Sequence, residues 1–226
     1  PARAGCLAAL AGARSPRWRA GPIVGAKRAG GVEREARDPS DRSRTIGTVV
    51  DADEALVGRA LASLADAQPA WDARGGRERA AILDAVADAF EAATEGFVVR
   101  LAREAGKTRM AAIGEVREAV DFCRYYAACA RSHFAVALAL PSPTGESNAL
   151  SLHGRGVFAC ISPWNFPLAI FTGQIAAALA AGNTVAAKPA EQTPLTAALA
   201  VEVMLRAGLP ADVIALLPGR GESVGA

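Results

Sequence analysis

A chain of 226 residues is long enough to bury a substantial core, so its stability requires neither disulfides nor metals. Apolar residues make up 51% of the sequence and charged residues 21%, which excludes a disordered chain. The net charge of +2 is too small to indicate a nucleic-acid binder. The long apolar stretch over 166–187 is broken by Gly173 and Gly182, so it predicts a buried helix and strand and no membrane segment.

The cysteines have neither the spacing of a metal site nor that of a disulfide framework. They are Cys6, Cys123, Cys129 and Cys160, and the sequence has only two histidines. Reduced thiols and a cytoplasmic location are therefore expected. The chain begins at Pro1 and not at Met, so we expect residues 1–17 to be a linker or an upstream remnant inside a longer protein.

The first half of the chain predicts a short strand followed by several helices. Arg, Gly, Pro and Ser dominate up to residue 45, which indicates an extended, partly strand-like segment. A β-branched run over 45–50 predicts a strand, and Asp51 and Asp53 follow it as candidate N-caps. Apolar residues then recur at helical spacing from about residue 55. The same spacing predicts further helices over about 76–93, 97–105 and 108–135.

The second half alternates between strands and helices. Two prolines in the stretch 140–147 predict a turn. The elements predicted after it are strands at 149–153 and 156–162, a buried helix at 166–181, a strand at 184–187, a helix at 194–208 and a strand at 213–217. Thr193 is the predicted N-cap of the last helix, with Pro194 as its first residue. This βαβαβ order predicts an α/β fold, with an incomplete Rossmann-like parallel sheet preceded by a helical segment.

Polar residues follow each of these strands. Ligands bind beyond the carboxyl ends of the strands in such sheets. Lys188, one of only three lysines, can anchor a phosphate or a ribose hydroxyl, and Glu191 can accept hydrogen bonds from a ribose. The two side chains could equally form a surface pair at a strand end. Asn165 could donate to a developing oxyanion or close its two-proline turn, and the glycines of 219–225 form a weak phosphate-loop pattern.

Residues 154–195 resemble the aldehyde dehydrogenase superfamily. They read GRGVFACISPWNFPLAIFTGQIAAALAAGNTVAAKPAEQTPL, in which a PWNFP loop is followed by a KPAEQTP strand end. The flanking segments EAGKTRMAAIGEVREAVDFCRYYA and LPADVIALLPGRGESVGA look most like one branch of the family. That branch is the Δ1-pyrroline-5-carboxylate (glutamate semialdehyde) dehydrogenase module of the bifunctional proline-utilisation proteins. The resemblance runs from about Trp18 to Ala226.

The resemblance implies roles for individual positions. Asn165 matches the amide that donates to the oxyanion of the covalent aldehyde adduct. The implied cofactor is NAD, with FAD only in a possible upstream proline dehydrogenase domain, and no metal is implied. The matching cofactor positions are Ile161, Ser162, Pro163 and Trp164 along the cleft, Lys188 and Glu191 at the adenosine ribose, and Gly219 and Val224 near the adenine. The matching aldehyde-pocket positions are Glu118 and Phe166, although Glu118 also fits a solvated carboxylate on a long helix.

The same resemblance implies an organisation of the chain. Residues 18–135 would be the N-terminal helical part of the cofactor-binding domain, and 156–226 its truncated βαβαβ unit. The hairpin-like segment 136–155 would be an oligomerisation arm, so a homo-oligomeric parent acting on a small aldehyde is expected.

The covalent chemistry of the family is not found in this sequence. Its nucleophilic cysteine and general-base glutamate lie downstream of the last segment, and Cys160, inside a strand, is expected to be a small buried residue. We therefore expect a fragment of an NAD-dependent glutamate-semialdehyde dehydrogenase that is inactive by itself. One alternative is another aldehyde dehydrogenase, for example one for succinate semialdehyde. Another is a non-catalytic nucleotide-binding or assembly module. An argument against this alternative is that an incomplete sheet would leave strand 213–217 as an unpaired apolar edge, which promotes aggregation.

Overall fold

The computed structural model describes residues 18–25 and 27–225, and the linker predicted over 1–17 lies outside them. Five strands open the described chain: β1 (Trp18–Ala20), β2 (Ile23–Val24), β3 (Lys27–Arg28), β4 (Glu33–Asp38) and β5 (Asp41–Val50). A small sheet contains β1, β5 and β4 in that order. The strand predicted over 45–50 is confirmed, and it begins at Asp41 because β4 pairs with it along its length.

Four helices follow, close to their predicted positions: α1 (Glu54–Ala73), α2 (Gly75–Ala92), α3 (Thr94–Glu104) and α4 (Arg109–His133). Asp53 caps α1, since its side chain accepts a hydrogen bond from the Leu56 amide at 2.7 Å. The other candidate cap, Asp51, instead forms an ion pair with Arg34 on β4. Gly106 has a left-handed φ of +66°, which ends α3 and turns the chain into α4.

A hairpin and an alternating unit complete the described chain. These elements are β6 (Leu138–Ala139), β7 (Ala149–Leu150), β8 (Val157–Ile161), α5 (Ala169–Ala180), β9 (Thr184–Lys188), α6 (Pro194–Arg206), β10 (Ile214–Leu216) and α7 (Gly221–Val224). The strand predicted at 149–153 is only two residues long, because β6 offers it only two antiparallel partners. The helix predicted from Phe166 begins at Ala169, because residues 164–168 form bends and a turn before it.

The main sheet has the order β3-β2-β10-β9-β8. Its β8, β9 and β10 are parallel, which confirms the predicted α/β class and the βαβαβ unit. The sheet is nevertheless mixed, since β2 runs antiparallel to β10 and places Ile23 opposite Leu216. The prediction that strand 213–217 is an unpaired edge is therefore wrong. The leading segment folds back and covers that strand.

Buried charged side chains from the helical half hold the ends of the crossover helices. Arg79 on α2 is buried, and its Nε donates to the Ala180 carbonyl at the end of α5 over 3.1 Å. Glu104, the last residue of α3, accepts from the Leu195 and Thr196 amides in the first turn of α6, at 2.6 and 2.7 Å. These contacts satisfy helix-end groups that would otherwise be buried without partners. They fix the C-terminal end of α5 and the N-terminal end of α6.

Candidate functional site

Three loops meet at the carboxyl edge of the parallel strands. The register places Ile161 at the end of β8 beside Lys188 at the end of β9. The Ser162 amide then donates to the Lys188 carbonyl at 3.2 Å, so the first two loops begin side by side. The third loop, after β10, is tied to the start of α1, because the Ala52 amide donates to the Pro218 carbonyl at 2.7 Å. This edge is where doubly wound sheets bind ligands.

The first of these loops, residues 162–168, presents the side chains at its centre to solvent. Trp164 is 57% exposed, and Asn165 and Phe166 are exposed beside it, whereas Pro167 is buried. Within the described residues, the Asn165 amide makes no hydrogen bond that would close the turn. Its donors are therefore free to meet a ligand.

Two polar groups at the strand ends have unused hydrogen-bonding capacity. The Ser162 Oγ is buried and has no hydrogen-bond partner in the part of the chain that the structure describes. Lys188 Nζ donates to the Pro189 carbonyl at 3.2 Å, which uses one of the three donors of an ammonium. A buried hydroxyl without a partner is costly, so it is typical of a place that a polar ligand or water completes. These groups fit a ligand that carries ribose hydroxyls and phosphates.

Glu191 lines a cavity of about 310 Å³. The residues that line the cavity are Arg34, Glu191, Gln192, Arg220 and Glu222. Arg34 belongs to β4, and its Nη2 donates to the Glu191 carbonyl at 2.9 Å. This contact joins residues 157 positions apart, so no local sequence pattern could have revealed it. Arg34 is the one lining residue that the small N-terminal sheet supplies.

The third loop carries the two predicted adenine-contacting residues, Gly219 and Val224. They lie against each other, and a Cβ added at Gly219 would overlap the Val224 side chain. Val224 ends the short helix α7, and a Cβ at Gly225 would lie 3.5 Å from the Cε of Lys188. The loop is therefore closed tightly enough to require glycine at 219, and it borders the side chain of Lys188.

The two residues predicted at the aldehyde pocket have different surroundings. Glu118 is exposed on α4 and lines a groove of about 600 Å³ together with Gly114, Arg117, Asp121, Phe122 and Tyr125. Phe166 does not line that groove. Its ring lies under the Lys107 ammonium, with Nζ 4.1 Å from the ring centroid. Lys107 was not singled out from the sequence, although it is one of only three lysines.

The two buried thiols of the described chain, Cys123 and Cys160, are poorly suited to nucleophilic attack. Cys160 is 6% exposed, which confirms its predicted burial, and burial raises the pKa of its thiol to about 11. Burial likewise raises the pKa of Cys123 to about 12. The described residues contain no cluster of three or more His, Cys, Asp or Glu side chains placed to hold a metal. Among them, no helix has the length and apolar character needed to cross a membrane.

Residues 27–226 match the sequence pattern of the aldehyde dehydrogenase family. The chain belongs to the aldehyde dehydrogenase family. Within the matched range, the PWNFP segment is the exposed turn after β8, and the KPAEQTP segment begins at the end of β9. The structure agrees, since its helices and mixed sheets match the N-terminal part of the aldehyde dehydrogenase fold.

Proteins similar to this chain include PutA proteins and 1-pyrroline-5-carboxylate dehydrogenases. The bifunctional protein PutA of Klebsiella aerogenes is 49% identical over 93% of this chain, which spans 15% of the length of that relative. The crystal structure of proline utilization A from Bdellovibrio bacteriovorus superposes with a TM-score of 0.95 at 35% identity, over 99% of this chain and 24% of that one. A 1-pyrroline-5-carboxylate dehydrogenase from Thermus with bound NAD gives a TM-score of 0.93 at 34% identity. The superposition covers 99% of this chain and 44% of that one.

Proposed function

We propose that this chain is the N-terminal part of an NAD-dependent dehydrogenase that oxidises L-glutamate 5-semialdehyde to glutamate in proline catabolism. One observation carries the proposal. The loop that bears Asn165 and the end of β9, where Lys188 lies, are side by side at one edge of the sheet. The similar proteins support the substrate, because they include PutA proteins and 1-pyrroline-5-carboxylate dehydrogenases. The catalytic cysteine and the general base would come from a segment outside this sequence, and this chain alone would be inactive.

The residues of this chain would bind the cofactor and stabilise charge. Bound NAD would supply the acceptor for the hydride that leaves the aldehyde carbon. Lys188 and Glu191 would hold the adenosine ribose, while Gly219 and Val224 would pack against the adenine. Residues along the nicotinamide side of the cleft would be Ile161, Ser162, Pro163 and Trp164.

Asn165 would carry the catalytic role that this chain contributes. A thiolate that attacks the aldehyde carbon leaves a negative charge on the former carbonyl oxygen. The Asn165 amide, exposed and unbonded within the described chain, would donate to that oxygen and stabilise it. Glu118 and Phe166 would border the aldehyde pocket.

Turnover of two aldehydes by the complete protein tests the proposed substrate. We expect NADH formation from glutamate 5-semialdehyde with a kcat/KM well above that for succinate semialdehyde. The opposite order would identify a different aldehyde dehydrogenase. NADH formation from neither aldehyde would favour the non-catalytic nucleotide-binding or assembly module, which the pairing of β2 with β10 leaves structurally feasible.

We also propose the predicted domain organisation and assembly. The segment 136–155 would serve as the arm of a homo-oligomer, and its β6–β7 hairpin supports this, because both of its strands expose leucines. A protein of this kind, with free cysteines in the described chain, would act in the cytoplasm.

Replacing Lys188 by alanine should raise the KM for NAD with little change in kcat. Ribose contacts are made equally in the ground state and the transition state, so their loss weakens binding without slowing the chemical step. Steady-state kinetics of the complete protein at saturating aldehyde would measure the effect. Lys27→Ala is the matched control, because that lysine is exposed on β3. An unchanged KM for NAD in Lys188→Ala would remove Lys188 from the cofactor site.

A further inference from the structure

The loop that carries Asn165 is held at its far end by a buried carboxylate from α4. Glu115 is 2% exposed, and its Oε1 accepts hydrogen bonds from the Leu168 amide at 2.8 Å and the Ala169 amide at 3.2 Å. These are the first amides of α5, and no side chain within the loop caps them. The carboxylate therefore replaces the N-cap that the loop sequence lacks.

Lys107 links this carboxylate to the aromatic side chain of the loop. Its ammonium forms an ion pair with Glu115 Oε2 and lies over the Phe166 ring, with Nζ 4.1 Å from the ring centroid. Both charged side chains are largely withdrawn from solvent, at 14% and 1% exposure. An ion pair in such surroundings is screened little, and the ammonium attracts the ring face as well. One cation thus fixes both the cap and Phe166, the neighbour of Asn165.

The near end of the loop is held by other contacts. The Ser162 amide bonds to the Lys188 carbonyl, and Gln174 Nε2 donates to the Ile161 carbonyl at 3.1 Å. With both ends anchored and two prolines inside, the loop has little freedom in which to place the Asn165 amide. Of these anchors, the Lys107–Glu115 pair is the one on the Phe166 side.

We propose that Lys107 and Glu115 are positioning residues, which hold the 162–168 loop so that the Asn165 amide points at the developing oxyanion. The proposal rests on the proposed function, because it assigns Asn165 the oxyanion. Neither residue needs to touch the substrate. They act on the position of the loop through their contacts with Phe166 and with the first amides of α5.

The test uses Lys107→Met and Glu115→Gln in the complete protein. Methionine keeps the unbranched shape and most of the length of the lysine side chain and removes its charge. Glutamine keeps the shape of the carboxylate while breaking the ion pair. A displacement of about 1 Å at a catalytic group can cost roughly 100-fold in rate, so we expect kcat to fall roughly 10- to 100-fold. The KM for NAD should change little. Lys107→Arg, which retains the charge, should recover most of the lost kcat.

Glu104→Gln is the matched control, because Glu104 is a buried carboxylate that caps α6 instead of α5. Hydrogen exchange should accelerate over 163–170 in Lys107→Met and Glu115→Gln, but over 194–197 in Glu104→Gln. The control should lose stability and keep its kcat. A kcat that falls no further in Lys107→Met and Glu115→Gln than in Glu104→Gln would overturn the proposal.

A failure of the proposed function gives a different result. If Asn165→Ala leaves kcat unchanged, Asn165 is not the oxyanion donor, whatever the positioning variants do. The hydrogen exchange over 163–170 still reports whether Lys107 and Glu115 anchor the loop. Unchanged exchange there in both variants would overturn the anchoring itself.

Discussion

Asn165→Ala is expected to lower kcat of the complete protein roughly 100- to 1000-fold, as removal of one oxyanion donor does in other enzymes. The side chain is exposed and makes no hydrogen bond within the described chain, so little folding energy depends on it. The melting temperature and the affinity for NAD should therefore barely change. Stopped-flow or steady-state NADH formation measures the rate, and calorimetric titration of NAD measures the affinity.

A matched control separates catalysis from loop stability. Asn148 is also an exposed asparagine, and its amide makes one long hydrogen bond to the Pro141 carbonyl at 3.4 Å. Asn148→Ala should leave kcat as it is. If Asn165 instead closed its turn, its replacement would cost roughly 1 kcal/mol of stability and leave kcat nearly intact. That pattern would contradict the oxyanion role.

The periodicity of the sequence was sufficient to predict the elements of the fold, because each depends on local residues. Helical spacing placed α2 to α4 within a few residues, and the strand–helix alternation placed β8 to β10. The partner of β10 could not be predicted in this way. Ile23 pairs with Leu216 across almost the whole chain, and a two-residue strand has no periodicity to detect.

The ends of the crossover helices show the same limit. Thr193 lies at the predicted N-cap position of α6, but its side chain makes no capping bond, and its Oγ1 is buried without a partner within the described chain. The cap is Glu104, which is 91 residues earlier than Leu195. α5 is capped in the same manner by Glu115. Since both carboxylates come from the helical half, only the tertiary structure could identify them.

The residues of the candidate site that belong to sequence motifs could be predicted. The residues that only tertiary packing brings to the site could not. Lys188 and Asn165 follow strands, so their place at the carboxyl edge follows from the βαβαβ order. Arg34 and Lys107 reach the same region from distant elements. The rarity of lysine in this sequence was a signal that could have drawn attention to Lys107.

The buried cap of α6 should make the stability of the protein depend on pH. Glu104 is 5% exposed, and its burial raises the pKa of its carboxyl from 4.5 to about 7, against the opposing effect of the bonds from Thr196 and Leu195 and of the nearby Arg100 charge. A carboxyl whose folded-state pKa is raised binds its proton more tightly in the folded state. Its contribution to stability is thus fully present below pH 4.5 and is lost as the pH rises through about 7.

The expected loss from this one group is on the order of 3 kcal/mol between those pH values. Glu104→Gln removes this titrating group. The unfolding free energy of the wild type should therefore exceed that of the variant most at pH 5, and this difference should be smaller at pH 8. Urea unfolding of both proteins at several pH values measures this difference. A difference that stays constant with pH would mean that the cap is ionised throughout, and that the amides of Leu195 and Thr196 outweigh the cost of burial.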